Sequence, residues 1–278
     1  MSNTISVLMS VYRSEKAEYL DRALQSIWHD QTMKPSEIIL VADGPLTEKL
    51  DKVIADWKSG LGDSMVLCRN EVNLGLTKSL NKALSHATGD LIARMDSDDI
   101  SEPKRFEIQH DFLLANPDID VVGGSLREFN QNDPCLNIRN YPEGPEYIRK
   151  YICKASPLAH PNVMMRRRIF DSGIRYDERY RTSQDLALWY DVLAAGYKIS
   201  NVQEVTLNFR LADDVFKRRS RNKAFNEFKI YMSGIYRLHG LFTLAYMYPI
   251  SRLIFRLSPQ GLIKKIYNSS LRQGILSK

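Results

Sequence analysis

The stretch Leu91-Ile92-Ala93-Arg94-Met95-Asp96-Ser97-Asp98-Asp99 ends an apolar run in three carboxylates. Like charges this close repel, and at the edge of a core they are costly without a positive partner. Oxygen-only ligand sets select hard cations such as Mg²⁺ or Mn²⁺. Mg²⁺ is usually held by one or two carboxylates together with substrate phosphates. The residue types therefore point to a divalent-cation and diphosphate site built from Asp96, Asp98 and Asp99. It would lie at the C-terminal end of a buried strand, the edge at which open α/β sheets bind ligands. The structural alternative is an acidic turn, since Asp and Ser also cap helices and fill loops.

The elements that must position these acids can be read from periodicity. Residues 4–11, 37–42 and 64–68 are apolar, strand-length runs. Between them, Leu20, Ala23, Leu24 and Ile27 recur at helical spacing, as do Leu50, Val53, Ile54 and Trp57. A third helix over 77–87 turns Leu80, Ala83 and Leu84 inward, and the acidic strand follows. Strand–helix alternation of this kind implies a parallel sheet with right-handed crossovers. Two strand ends then carry acid on the same edge: Asp43, in Asp43-Gly44-Pro45, and the Asp96 to Asp99 group. Asp43 could accept a hydrogen bond from a base or ribose, or serve an Asp-Gly turn. Asn73-Leu74-Gly75-Leu76 is a turn that could bring backbone near a nucleotide, and Val11-Tyr12 leaves the first strand at the same edge.

These pieces occur in a recognisable order. Ser6-Val7-Leu8-Met9-Ser10-Val11-Tyr12, Val41-Ala42-Asp43-Gly44-Pro45, Asn73-Leu74-Gly75 and Arg94-Met95-Asp96-Ser97-Asp98-Asp99 follow the sequence seen in family 2 glycosyltransferases. The chain resembles the bacterial members that build O-antigen, capsule or amylovoran-type exopolysaccharide, over about residues 4–211. The resemblance implies an α/β GT-A fold, with a Rossmann-like, mostly parallel central sheet flanked by helices. It also implies a UDP-sugar donor (glucose or galactose leading), Mn²⁺ or Mg²⁺ as cofactor, and inversion at the anomeric carbon. By position, Asp43 would contact the uracil, and Asp96 would lie near ribose and metal. Asp98 would be the main metal ligand, supported by Asp99. Val11, Tyr12, Asn73, Gly75, Arg94 and Ser97 complete the nucleotide-sugar contacts so implied.

The second half is expected to meet the acceptor. Residues 105–115 read as a helix, 119–123 as a strand extending towards 129, 131–145 as a loop, and 146–153 as a short helix. Pro157-Leu158-Ala159-His160-Pro161 leads into an apolar strand and then Arg166-Arg167-Arg168, which could attract phosphate or merely solvate a strand end. His160 is a candidate contact to acceptor or diphosphate, although a lone His beside Pro is more often structural. Asp185 opens a helix marked by Leu186, Trp189, Tyr190 and Leu193; a carboxylate there is favoured by the helix dipole. In the resembling family this position is the catalytic base. The family commonly has Glu where this chain has Gln184, and a second Asp where it has Ala187. Gln184 could keep a hydrogen bond to the acceptor but carries no charge. Two strands over 197–202 and 204–210 close the unit.

Composition bounds the rest. The chain has 278 residues, 44% hydrophobic and 26% charged, as expected of a folded globular protein. Its net charge of +6 is unevenly spread: residues 214–278 hold 13 Lys or Arg against 2 acids, a balance of +11, leaving −5 for 1–213. The division expected is a catalytic domain over 1–213, with a nucleotide-binding half over 1–100 and an acceptor half over 101–213, and a helical basic extension over 214–278. The basic run 217–223 would open a helix reaching about Leu238. Apolar and basic residues continue through Leu253, Ile254, Phe255, Arg256, Ile263, Lys264, Lys265, Ile266 and Tyr267. No stretch approaches the ~20 apolar residues of a spanning helix. The extension is expected to lie on an anionic membrane surface, with packing on the catalytic domain or on a second subunit as the competing view. Nucleic acid is not an expected partner. Cys68, Cys135 and Cys153 form no metal or redox motif and fit a reducing compartment, and the N-terminus does not read as a signal peptide. The expected location is cytoplasmic, peripheral on the inner face of the membrane. The expected acceptor is a sugar on a polyprenyl diphosphate. A degenerate, non-enzymatic scaffold remains the main alternative. A sugar nucleotidyltransferase is less favoured, because no Gly-rich phosphate loop follows the first strand.

Overall fold

A computed structural model describes residues 3–211 and 221–257. Strand–helix alternation builds the first half: β1 (Ile5–Val11), α1 (Ala17–Ile27), β2 (Glu37–Ala42), α2 (Glu48–Leu61), β3 (Met65–Arg69), α3 (Leu76–His86) and β4 (Leu91–Asp96). The four strands are parallel in the order β3-β2-β1-β4. Their residues alternate between the two faces, as a period of two requires. Val7, Met9, Ile38 and Leu40 join a core with Leu20, Leu24, Leu50 and Ile54 of α1 and α2. Leu8, Ile39 and Val41 face Leu80 and Leu84 of α3. Burial on both faces explains why these strands read as continuous apolar runs.

Beyond β4 the sheet becomes mixed. It continues as β8 (Met164–Arg166), β6 (Val121–Phe129), β9 (Ile199–Arg210) and β5 (Ile100–Ser101), with β7 (Asn137–Arg139) paired to β6. β8 is antiparallel to β4 and β6, whereas β6 and β9 are parallel. The expected strands 197–202 and 204–210 are one strand, irregular opposite Gly124 and Ser125. The expected loop 131–145 contains β7, whose residues are all exposed. Helices α4 (Arg105–Ala115), α5 (Pro145–Tyr151), α6 (Arg168–Asp171) and α7 (Gln184–Ala194) complete this half.

α8 (Arg221–His239) lies along α7, and its Ile230, Tyr231, Ile235 and Leu238 enter the same core as Trp189 and Leu193. Gly234 is needed there, since a Cβ would come within 2.3 Å of the Tyr190 ring. α9 (Met247–Leu257) folds back on α8 through Pro249, Arg252, Leu253 and Arg256. Packing on the catalytic unit therefore describes α8. The expected basic segment 217–220 and residues Ile263, Lys264, Lys265, Ile266 and Tyr267 lie outside the described residues. Among the described residues no helix is long and apolar enough to cross a membrane. All three cysteines are free thiols.

Candidate active site

The first half of the site follows from how strands β1, β2 and β4 end. β2 runs into Asp43 and Gly44, whose φ of +87° suits glycine. A Cβ on Gly44 would sit 2.7 Å from the Asn73 nitrogen, so the two turns can approach only with glycine there. Asp43 is buried and tethers that neighbouring turn. Its Oδ1 accepts from Asn70 Nδ2 (2.9 Å) and Leu74 N (2.8 Å), and its Oδ2 accepts from Gly75 N (2.9 Å). Gly75 itself has φ +90° and caps the start of α3. Asp43 thus shapes the 73–75 turn, and a carboxylate has room for about four hydrogen bonds, which leaves one acceptor position for a ligand.

β4 delivers the acids. Oxygen atoms of Asp96, Asp98 and Asp99 all lie within 4.8 Å of one another. Burial, then Asp96 and Glu15, push the Asp98 carboxyl up to about 6. Burial, then Asp96 and Asp98, push the Asp99 carboxyl well above the usual range. Asp99 accepts from Arg210 N (2.8 Å) through Oδ1, while its buried Oδ2 has no partner. A hard divalent cation would relieve this accumulation of negative charge and use the orphaned oxygen, so the donor set fits Mg²⁺ or Mn²⁺. A cleft of about 370 Å³ joins the two features; it is lined by Tyr12, Asp43, Asn73, Gly75, Asp96, Ser97 and Asp98, with Ser10, Glu15, Leu76, Phe209 and Arg210.

Several of these lining residues lay outside the sequence reading. Arg210, at the end of β9, has its guanidinium 3.9 Å from the Tyr19 ring and 4.5 Å from the Phe129 ring. Its Nε donates to the Asp98 carbonyl (2.8 Å). Glu15 accepts from Ser97 Oγ (3.1 Å) and adds a fourth acid beside the cluster. Only the fold brings these residues to Asp98; the arginine at a strand end was the one available signal.

Other expected residues stand behind the cleft wall. The Val11 side chain is fully buried in the α1–α2 core, and its carbonyl accepts from Asp43 N (2.8 Å). At the ligand edge Val11 can therefore offer only its backbone. Arg94 is buried, ion-paired with Asp96, and its Nε and Nη1 have no partner. His160 is likewise buried. Its Nε2 hydrogen-bonds Tyr176 Oη (2.9 Å) and its ring lies edge-on to Trp189. Burial, then Arg94, hold its pKa well below the usual imidazole range, so it is neutral. Gln184 is buried at the start of α7. None of His160, Gln184 and the candidate base Asp185 lines the cleft. The three arginines face the opposite end of β4, where Arg166 pairs with Leu91. Arg166 donates to the Ile119 and Leu113 carbonyls, Arg167 to Gly89, and Arg168 to Asp120, so of the two readings offered for them the strand-end role is the one these contacts support.

Asp185 is half-buried in the first turn of α7. Burial raises its pKa; hydrogen bonds from the Leu186 and Asp185 backbone N–H groups and the charges of Arg94 and Lys223 counter that rise. The charge of Arg94 therefore acts on carboxylates of both halves: Asp96, its ion-pair partner, and Asp99 in the first, and Asp185 in the second.

A parallel nucleotide-binding half joined to a mixed half, with acids at the seam, is the GT-A glycosyltransferase fold. The solved structures agree. A mannosyltransferase from Pyrobaculum calidifontis, in complex with GDP-Man and Mn²⁺, superposes with a TM-score of 0.67 at 15% identity, covering 98% of this chain and 81% of that one. S. aureus TarS 1–349 in complex with UDP-GlcNAc gives 0.66 at 17% identity, covering 96% and 73%. The chain belongs to glycosyl transferase family 2, which its residues 6–173 match. It is 31% identical over 264 residues to the amylovoran biosynthesis glycosyltransferase AmsE of Erwinia amylovora, covering 94% of this chain and 97% of the relative. It is 32% identical over 270 residues to an Escherichia coli UDP-Gal:alpha-D-GlcNAc-diphosphoundecaprenol beta-1,3-galactosyltransferase, covering 96% of each. The protein is a glycosyltransferase with relatives in bacterial exopolysaccharide and O-antigen synthesis.

Proposed function

We propose that this glycosyltransferase moves a hexose, glucose or galactose, from its UDP ester to a sugar carried on a polyprenyl diphosphate. The reaction inverts the anomeric centre, forms a β-linkage (β1,3 by analogy with the E. coli relative), and serves O-antigen or capsular polysaccharide assembly. One observation carries the reading: Asp96 and Asp98 line the same cleft as Asp43, Asn73 and Gly75, with the buried Asp99 grouped beside them. An acidic turn that only capped a helix would not share a cleft with a second strand-end acid.

In this reading Asp43, Asn73 and Gly75 hold uracil and ribose, with Tyr12 and Ser97 beside them, and Asp98, Asp96 and Asp99 hold Mg²⁺ or Mn²⁺. When bound, that ion supplies Lewis-acid neutralisation of the charge collecting on the leaving diphosphate. Asp185 accepts the proton of the acceptor hydroxyl as its oxygen bonds to the anomeric carbon. The bond from that carbon to the diphosphate breaks at the opposite face, and UDP leaves. Arg94, whose charge acts on both carboxylate sets, holds Asp185 ionised against the burial that raises its pKa.

The catalytic unit, residues 1–213, would act at a membrane through the extension over 214–278. The support is a helix built inside out. α9 turns Arg252 and Arg256 inward onto Glu227, while Met247, Ile250 and Ile254 face out. The preceding turn exposes Leu241, Phe242 (97%) and Leu244 (82%). Lys150 and Lys154 edge the neighbouring cavity, with Leu244 and Met247. Apolar side chains bordered by cations suit an anionic lipid surface, on the inner face of the cell membrane.

A panel of UDP-sugars against synthetic lipid-diphosphate acceptors tests the function directly. Asp185→Asn is expected to abolish transfer while UDP and Mn²⁺ still bind. Asp98→Ala is expected to weaken metal-dependent UDP binding as well. Undiminished transfer by either variant contradicts the role given to that residue.

A further inference from the structure

The turn that presents Asp185 is held in an unusual state. Ser183 precedes α7 at the N-cap position, where a serine normally adopts extended backbone and accepts a hydrogen bond from the second or third helical N–H. Here it does neither. Its φ is +62° and ψ +24°, and its side chain makes no capping hydrogen bond. Among the described residues it is the single non-glycine with positive φ. Such a conformation is disfavoured for a residue with a Cβ and persists only where surroundings impose it.

The structure shows what imposes it. Ser183 Oγ donates to Glu227 Oε1 (3.3 Å), a carboxylate on α8 that is itself only 8% exposed. The other oxygen of Glu227 is held from α9, by Arg256 (2.8 Å) and Arg252 (3.6 Å). The consequence falls on the first turn of α7. The N–H groups that a capping serine would take are those of Asp185 and Leu186, the same two groups whose dipoles favour the ionised Asp185 carboxylate against burial. Turning the Ser183 hydroxyl towards α8 leaves them to the acid.

We propose that Glu227 is a positioning residue for Asp185: it draws Ser183 out of the helix cap, so that the first-turn N–H groups orient the Asp185 carboxylate towards the acceptor. This rests on the reading of Asp185 as the base. Released from Glu227, Ser183 relaxes to an ordinary cap, takes an N–H from Asp185, and lets that carboxylate rotate. A displacement of about 1 Å at a reacting group is enough to cost of the order of a hundredfold in rate. The α7 helix gains a normal cap meanwhile, so neither that helix nor nucleotide binding is what changes, whatever the loss of the Arg252 and Arg256 pairs does to the docking of α9.

The test uses the full chain, with UDP release from UDP-galactose in the presence of Mn²⁺ and a GlcNAc-diphospholipid as readout, and calorimetric UDP–Mn²⁺ binding as control. Glu227→Ala is expected to lower kcat at least tenfold, with KM for the donor and UDP binding unchanged. Glu227→Gln, which keeps an acceptor oxygen for Ser183, is expected to retain more activity. The double variant Glu227→Ala/Ser183→Gly is expected to recover most of the loss, because glycine adopts positive φ without strain and has no hydroxyl to compete for the N–H. Ser183→Asp, a strong cap repelled by Glu227, leaves the α8–α9 packing intact and is expected to reproduce the kcat loss in a folded protein. Wild-type kcat in Glu227→Ala or Ser183→Asp overturns the proposal, as does failure of Ser183→Gly to restore the Glu227→Ala enzyme. Asp185→Asn is measured alongside. If it retains transfer, the base assignment and this proposal fall together. If it is inactive while Glu227→Ala is wild-type, the positioning role alone is refuted.

Discussion

The acid trio makes a quantitative prediction, because it is crowded before any cation arrives. Burial, Asp96 and Glu15 raise the Asp98 carboxyl from 3.8 to about 6. A cation that binds Asp98 must displace its proton, so apparent Mn²⁺ affinity should be flat above about pH 7 and fall about tenfold for each pH unit below 6. If Asp99, whose carboxyl is also raised, discharges as well, the slope steepens towards two. Stability runs the other way. With a folded pKa above the unfolded one, Asp98 contributes stability that is fully present below about pH 3.8 and lost as pH rises through about 6. At pH 8 the metal-free protein therefore forfeits up to about 3 kcal/mol from this group. Asp98→Asn should melt higher than wild type at pH 8 without metal, with the gap closing near pH 4. Mn²⁺ alone is the right titrant, since a nucleotide brings its own titrating phosphate. Calorimetry in buffers of different ionisation heat counts the protons released. Mn²⁺ affinity that is constant from pH 5 to 8, with no proton released, would refute the claim that these acids share one strained electrostatic site.

Other perturbations separate the parts. Gly75→Ala forces a Cβ onto φ +90°, at a cost of about 1–3 kcal/mol; UDP affinity measured by calorimetry should fall about tenfold with Mn²⁺ affinity unchanged. Asp43→Asn replaces one acceptor oxygen with a donor facing Leu74 N or Gly75 N, so a denaturant titration should show a loss of about 1–3 kcal/mol. Arg210→Ala removes the group held between Tyr19 and Phe129 and the hydrogen bond to the Asp98 carbonyl, and should weaken Mn²⁺–UDP binding while leaving the secondary structure seen by circular dichroism intact. Phe242→Asp with Leu244→Asp should abolish co-sedimentation with anionic vesicles and leave the melting temperature unchanged, because both side chains are exposed.

What the sequence made legible was contiguous. Residues 91–99 carry both the strand pattern and the acids, so the cluster could be recognised before folding. Asp43 was legible for the same reason, although its tethering of the 73–75 turn was not. Arg210 and Glu15 were missed because their partners are remote in sequence, the strand-end position of Arg210 being the one local hint: Arg210 meets Asp99 across 111 positions, and Ser97 meets Glu15 across 82. β5 and β7 escaped notice because two or three residues carry no period. β9 read as two strands because Gln203 and Glu204 are exposed where its pairing with β6 shifts register. The arginines 166–168 look like a phosphate site on paper, and only the antiparallel entry of β8 sends them to the far edge.

The two halves of the site are therefore built by different means. Asp43, its turn and the acid trio are set by strand ends within the first hundred residues, and Arg210 of β9 is the reach from the second half that holds the Asp98 carbonyl and Asp99. Asp185 is different. Its carboxylate feels the charge of Arg94, its turn is held by Glu227 of α8, and Glu227 is in turn gripped by α9. The acid assigned to the acceptor is thus mounted on the segment whose outer face is apolar. For the proposed reaction, with a soluble donor and a lipid-linked acceptor, that division has a physical logic: the nucleotide half can be rigid in solution, whereas the half proposed to receive the acceptor is braced against the element proposed to meet the bilayer. Any loosening of α9 should then appear as slower transfer at unchanged donor affinity, a signature that damage to the nucleotide half cannot produce.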